Sequence, residues 1–233
     1  MNFMKVLIKN RATQKADARI KGILLEVNYF TNKFRRKVIC PSKPMLGTNE
    51  YKILKSLASD AARFIEYGSG GSTKFISEHT RELVTVESDK LFLAAVIYSN
   101  RNNGNTSFLH ANIGPTKSFG QPIRVLKLIF KNKWSSYAVT PWNFLGEKSQ
   151  VDAIFIDGRF RVHCFLQCLL LNSAEKYSIL VDDYFKRSEY FVMEEASFTP
   201  ERVGDAALFR ISRADIDQRL ILKLAERYKH DFN

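Results

Sequence analysis

Apolar residues along the chain alternate between two spacings, short runs of strand character and longer stretches with a helical period. "EYKILKSLASDAA" (50–62) places Ile53, Leu54, Leu57, Ala58 and Ala61 on one face of a predicted helix, and "RFIEY" (63–67) follows as a short buried strand. The pattern then repeats. "ELVTVE" (82–87) reads as a second strand, followed by Leu91, Ala94, Ala95 and Tyr98 at helical intervals. "TSFLHANI" (106–113) is a third, entered through the turn-rich "NRNNGN", and "VDAIFIDG" (151–158) is a fourth. "FRVHCFLQCLLLN" (160–172) is apolar nearly all round, as expected of a helix pressed on a sheet, and "YSILVDDY" (177–184) is a fifth strand. In the tail, "ERVGDAALFRIS" supplies one or two further strands. Ile216, Leu220, Leu224 and Tyr228 then form a helical stripe opened by Ser212, with Asp215 at the spacing of a capping box.

Strands alternating with helices at this spacing predict an α/β domain over residues 45–233, with a Rossmann-like, mostly parallel sheet covered by helices on both faces. Ligands of such sheets bind at the carboxyl ends of the strands. The residues there are Glu66 with the glycines, Glu87, Asn112, Asp157, and the pair Asp182 and Asp183. Buried charges are costly without partners, so acids and amides gathered at one sheet edge point to a polar ligand or a metal.

Charge changes the picture only at one end. Residues 1–44 hold eleven Lys or Arg against Asp17 and Glu26, which leaves +3 of the formal +12 for residues 45–233. Within 1–44, Ile20, Ile23, Leu24, Val27 and Phe34 recur between basic residues, predicting a basic amphipathic helical extension that Pro41 and Pro44 end. Such a helix packs on the core or on a second subunit of a homo-oligomer, or it meets an anionic partner, either a membrane surface or nucleic acid. No apolar run approaches the roughly 18–20 residues of a bilayer span. No secretory signal is recognisable at the N-terminus, and the three cysteines, Cys40, Cys164 and Cys168, form no disulfide framework, so a reducing, cytoplasmic setting is expected.

A glycine-rich first turn alone does not discriminate between nucleotide ligands, but its surroundings do. "EYGSGGST" places an acid two residues before the first glycine, and "LVTVESDK" closes the second strand with Glu87. Over roughly residues 50–212 this resembles the class I S-adenosylmethionine-dependent methyltransferases. The cofactor carries a sulfonium and an amino group and no phosphate, so an acid near the loop is favourable, whereas it would repel a pyrophosphate. The resemblance implies that Gly68, Ser69, Gly70, Gly71 and Ser72 line the cofactor. It also implies that Glu66 lies near the methionine portion, Glu87 accepts from the ribose hydroxyls, and Asn112, where Asp is more usual, sits near the adenine.

"FIDGRF" and "LVDDYF" further resemble cation-dependent O-methyltransferases of the caffeoyl-coenzyme A and macrocin types. That likeness implies a divalent cation, Mg²⁺ or a similar ion, on Asp157, Asp182 and Asp183, lowering the pKa of an acceptor hydroxyl. The chain departs from those relatives just after Asp157, where Gly158, Arg159, Phe160 and Arg161 replace the usual acid with Lys, or His. Without a metal, Asp157 or Asp183 serves as the base, with Asp157 also beside the cofactor. Arg159 and Arg161 then suit an anionic acceptor or lie at the surface. The loop "GPTKSFGQP" and the following "YAVTPW" have the character of an active-site cover, with Trp142 at the substrate and Phe119, Trp134 and Tyr137 either beside it or packed. His163, Cys164 and Cys168 lie on too apolar a helix for zinc and read as buried core, and His110 reads as structural.

The expected function is methyl transfer to a hydroxyl of a small molecule or sugar. Three alternatives remain: a nucleic-acid methyltransferase, a non-catalytic protein keeping the fold with the basic helix as its working surface, and, last, a nicotinamide-dependent oxidoreductase. The Asn- or Asp-Pro-Pro-aromatic motif of amino-directed nucleic-acid enzymes is absent after the fourth strand, which reads "IDGRF".

Overall fold

The computed structural model describes residues 38–123 and 126–231. The expected helix carrying Ile20 to Phe34 lies outside the described residues. Seven strands form one sheet in the order β3-β2-β1-β4-β5-β7-β6: β1 Arg63–Tyr67, β2 Glu82–Glu87, β3 Thr106–His110, β4 Ala153–Ile156, β5 Lys176–Val181, β6 Glu201–Val203 and β7 Ala206–Ser212. The first five strands pair in parallel, while β7 pairs antiparallel with β5 and β6 antiparallel with β7. The order reverses between β1 and β4, which places the crevice of the fold beside their carboxyl ends.

Strand parity decides which face each side chain serves. Phe64, Leu83, Phe155, Leu180 and Leu208 pack with Leu54 and Ala58 of α1 (Thr48–Asp60) and with Phe75 and Ile76 of α2 (Gly71–Ser77). The alternate positions Ile65, Tyr67, Val84, Val86, Ile154, Ile156, Ile179 and Phe209 build the larger core on the other face. That face is covered by α5 (Ser136–Leu145), α6 (Arg161–Leu171) and α7 (Gln218–Tyr228). Two more helices, α3 (Lys90–Ser99) and α4 (Lys127–Trp134), complete the layers. No helix among the described residues is long and apolar enough to cross a membrane.

Two local expectations are corrected. In α3 the buried face is Leu93 and Val96, continued by Asn100, whereas Ala94 and Tyr98 are exposed. Ser212 ends β7 and does not cap the last helix; Asp217 does, its Oδ1 accepting from the N–H groups of Arg219 and Leu220 at 3.0 and 3.1 Å. Asp217→Ala is therefore expected to lower unfolding free energy by about 1 kcal/mol in a urea titration, and a loss below about 0.3 kcal/mol would refute the cap.

Candidate functional site

A cavity of about 450 Å³ opens at the carboxyl ends of β1, β2, β4 and β5. Its walls are the turn Gly68–Ser72, Glu87 with Phe92, Phe119 and Gln121 of the loop after β3, Asp157–Arg159 with Arg161, and Asp182, Asp183 and Arg187. Pro41, Lys43 and Met45 close the remaining side. Residues 41–45 were not anticipated as part of a site, and the expected 44/45 domain division falls within them.

The turn after β1 requires glycine at two of its three glycine positions. Gly68 has φ +98°, and a Cβ there would meet the backbone of Gly158 at 2.6 Å. At Gly71 a side chain would strike the carbonyl of Lys43. At Gly70 an added Cβ meets nothing within 4 Å, so this backbone faces open cavity. The arrangement leaves main chain exposed to a ligand where other residues would interpose side chains.

Glu66 holds this turn from beneath. It shares the sheet face of Phe64, is fully buried, and does not line the cavity, contrary to its expected place by a bound methionine portion. Its Oε1 accepts from Ser72 Oγ, and its Oε2 accepts from Thr73 Oγ1 at 2.7 Å and Thr85 Oγ1 at 2.6 Å. Because the Thr85 hydroxyl is committed to Glu66, Ser69 Oγ donates to Thr85 across 2.7 Å. Thr73 Oγ1 in turn accepts from Gly70 N–H at 2.8 Å. Burial pushes the Glu66 carboxyl up to about 7 despite the three hydroxyls that favour its ionised form.

Glu87 ends β2 with its carboxylate nearly buried. Ser88 N–H and Asp89 N–H donate to Oε1 at 2.6 and 2.7 Å, and the Ser88 hydroxyl oxygen lies 3.0 Å from it. No hydrogen bond from a described residue falls on Oε2, which leaves that oxygen to a ligand's hydroxyls. Burial raises its pKa, opposed by those donors. The loop after β3 folds back here, with Ser88 Oγ donating to the Gly120 carbonyl at 3.0 Å and Phe119 exposed at the cavity rim. Asn112 is not in the cavity wall; it is exposed, and its Oδ1 accepts from Gly114 N–H at 3.2 Å to turn the chain.

The two arginines after β4 have different fates. Phe160 has φ +55°, is fully buried, and packs on Tyr137 and Trp134 at ring distances of 5.7 and 5.9 Å. This plug turns Arg161 inward. Its guanidinium donates to the carbonyls of Gly158, Asp157 and Asp182 and pairs with Asp157 Oδ1 at 2.7 Å, with Asp183 Oδ2 at 3.9 Å. Arg161 is only 2% exposed, so its expected role at a substrate gives way to that of internal counter-ion. Arg159 stays half-buried in the cavity wall.

Burial first, then the Asp157 charge, lifts Asp182 to about 7, and burial also raises Asp157 against the pull of Arg161. Asp183 has φ +53° and ion-pairs with Lys186 and Arg187 at 3.5 Å each. A divalent cation was expected on these three carboxylates. The donor set does not fit one: no group of three His, Cys, Asp or Glu among the described residues is placed to hold a metal ion, and Arg161 already supplies the positive charge.

Trp142 is a further correction. It is 4% exposed and absent from the cavity wall, and its Nε1 donates at 2.9 Å to the Tyr67 hydroxyl, which donates onward to the Ala138 carbonyl at 2.6 Å. Trp134 and Tyr137 are likewise buried. "YAVTPW" therefore lies in α5 beneath the site and does not cover it. His163, Cys164 and Cys168 are buried, with the thiols free and burial holding His163 down to about 4. Phe92, Gln121, Arg187 and residues 41–45 entered the site unannounced, since none sits at a strand end.

The sequence matches no protein-family model and no curated protein. Solved structures do match. A methyltransferase-like protein from Silicibacter pomeroyi DSS-3 superposes with a TM-score of 0.67 at 23% identity, over 82% of this chain and 99% of that one. The chain has the fold of class I S-adenosylmethionine-dependent methyltransferases. An O-methyltransferase from Bacillus cereus, solved in complex with SAH, superposes on this fold with a TM-score of 0.51 at 14% identity, over 82% of this chain and 90% of its own. Within this methyltransferase fold, the cavity described above occupies the crevice where strand order reverses.

Proposed function

We propose that the chain is an S-adenosylmethionine-dependent methyltransferase acting on a hydroxyl of a small molecule or sugar, without a metal. The observation that carries this reading is the pairing of open glycine backbone at Gly70 with a Glu87 carboxylate whose Oε2 takes no hydrogen bond from a described residue, in one cavity. When bound, the cofactor supplies a methyl group activated by its sulfonium.

The residues of the chain do the rest. Glu87 accepts from the ribose hydroxyls, and the Gly68–Ser72 backbone lies along the methionine portion. Phe92 and Phe119 offer aromatic faces to a flat base, and Phe119 with Gln121 narrows the way in for water. Asp182, half-ionised near neutrality, accepts the proton of the acceptor hydroxyl, while Arg161 pairs with Asp157 beside it. The Bacillus cereus likeness supports oxygen as the acceptor atom, and the carboxylates paired with Arg161 support a base in place of a metal.

Isothermal titration with SAH tests the cofactor, and mass spectrometry of products from phenols, sugars and nucleic acids tests the acceptor. With a productive acceptor, kcat/KM is expected to rise with pH and level off above about 7, as Asp182 loses its proton. Asp182→Asn is expected to remove transfer while leaving SAH affinity within about twofold, since one neutral substitution away from the cofactor's contacts changes its binding by well under 0.5 kcal/mol. Chelators are expected to have no effect. Activity lost to a chelator and restored by Mg²⁺ would overturn the metal-free mechanism.

A further inference from the structure

Arg159 is an arginine of the cavity wall that forms no ion pair among the described residues. Its Nε is buried and makes no hydrogen bond, and no ion pair joins its guanidinium to any described residue. The other cations beside the carboxylates are committed: Arg161 to Asp157 and Asp183, Arg187 to Asp183, and Lys186 to Asp183 and Asp205. A buried guanidinium N–H without an acceptor costs free energy unless something else supplies one. Burial and the adjacent Arg161 both push the Arg159 pKa down, which is the direction an anion would reverse.

The loop that carries Arg159 is held on both sides. A Cβ on Gly158 would strike the Tyr137 hydroxyl, and Phe160 is plugged into the core in a left-handed conformation. The guanidinium is therefore presented from a rigid turn two residues beyond Asp157, at the carboxylate end of the cavity where an acceptor hydroxyl would give up its proton. Its planar fork matches the two oxygens of a carboxylate or phosphate.

We propose that Arg159 binds an anionic group of the methyl acceptor, a carboxylate or a phosphate, so that the substrate class is an acidic hydroxy compound such as a sugar acid or sugar phosphate. This rests on the methyl-transfer reading. The same chemistry could come from the cofactor's own carboxylate, and the cation nearer to that end is Lys43, whose backbone abuts Gly71.

The test uses the full chain, with inorganic phosphate as the acidic probe and chloride at matched ionic strength as control. Wild type saturated with SAH is expected to gain thermal stability with phosphate and not with chloride. Arg159→Met is expected to bind SAH within twofold of wild type and to need at least tenfold more phosphate for the same shift. Arg159→Lys, which keeps charge without the fork, is expected to fall between them, and it stands in if the Met variant fails to fold. Equal phosphate shifts in wild type and both variants would overturn the proposal while leaving the cofactor reading intact. A tenfold loss of SAH affinity in Arg159→Met would overturn it by assigning the residue to the cofactor. Failure of wild type to bind SAH would instead overturn the methyl-transfer reading, and the acceptor assignment with it.

Discussion

Arg161→Met is expected to be the most destabilising single substitution in the site, costing about 3 kcal/mol, the low end for a buried pair, because the carboxylates it leaves without a counter-ion are only half-buried. The side chain is 2% exposed, donates to three carbonyls and pairs with Asp157 at 2.7 Å. For a domain of this size the loss corresponds to a melting temperature lower by roughly 10 °C. The effect has a pH signature. Arg161 lowers the pKa of both Asp157 and Asp182, so removing it raises their folded values further above the unfolded ones. A folded state that binds more protons than the unfolded chain loses stability as pH rises between the two pKa values. The deficit against wild type should therefore be larger at pH 8 than at pH 5 in paired denaturation curves. Equal deficits at both values would mean that Arg161 matters only as packing.

Glu87→Ala is expected to weaken SAH binding by a factor of roughly 30 or more, since a pair of charged hydrogen bonds to ribose is worth about 2–3 kcal/mol. Glu87 also accepts from Ser88 and Asp89 N–H at 2.6 and 2.7 Å, so part of any loss in the Ala variant reflects the turn into α3. Glu87→Gln separates the two, because an amide oxygen still accepts those N–H groups but carries no charge. It is expected to lose less affinity than Ala. Glu226, exposed on α7 and paired only with Lys229 among the described residues, serves as control: Glu226→Ala should leave SAH affinity unchanged. Titration calorimetry decides the matter, and a Glu87→Ala variant with wild-type affinity would exclude a ribose site at the end of β2.

Where the hydrophobic pattern had one dominant period, the structure followed it. In α1, Leu54 and Ala58 are buried and Ile53 and Leu57 pack against them, as their spacing requires. Where the pattern was saturated, it carried no direction. "KLFLAAVIYS" is apolar at almost every position, so the face of α3 that meets the sheet was set by how the helix docks, and Leu93 and Val96 were buried where Leu91 and Ala94 had been expected. Glu66 illustrates a second limit. Its position at the end of β1 was legible, but its partner Thr85 lies 19 residues away on the neighbouring strand, and only pairing of β1 with β2 brings the two together.

The order of strands and helices, the parallel character of the first five strands, the glycine turn and the carboxylates at the strand ends were all legible along the chain. These are consequences of local period, backbone freedom and the length of the crossovers, which neighbouring residues encode. Which charges meet was settled only when the layers packed. Arg159 and Arg161 stand two residues apart, yet the buried Phe160 between them sends one to the carboxylates and leaves the other in the cavity wall. Trp142 was drawn into the core by the Tyr67 hydroxyl, 75 residues earlier on β1, and residues 41–45 reached the glycine turn from before α1. Burial, desolvation and pairing depend on contacts between distant segments, and those exist only once the layers have packed.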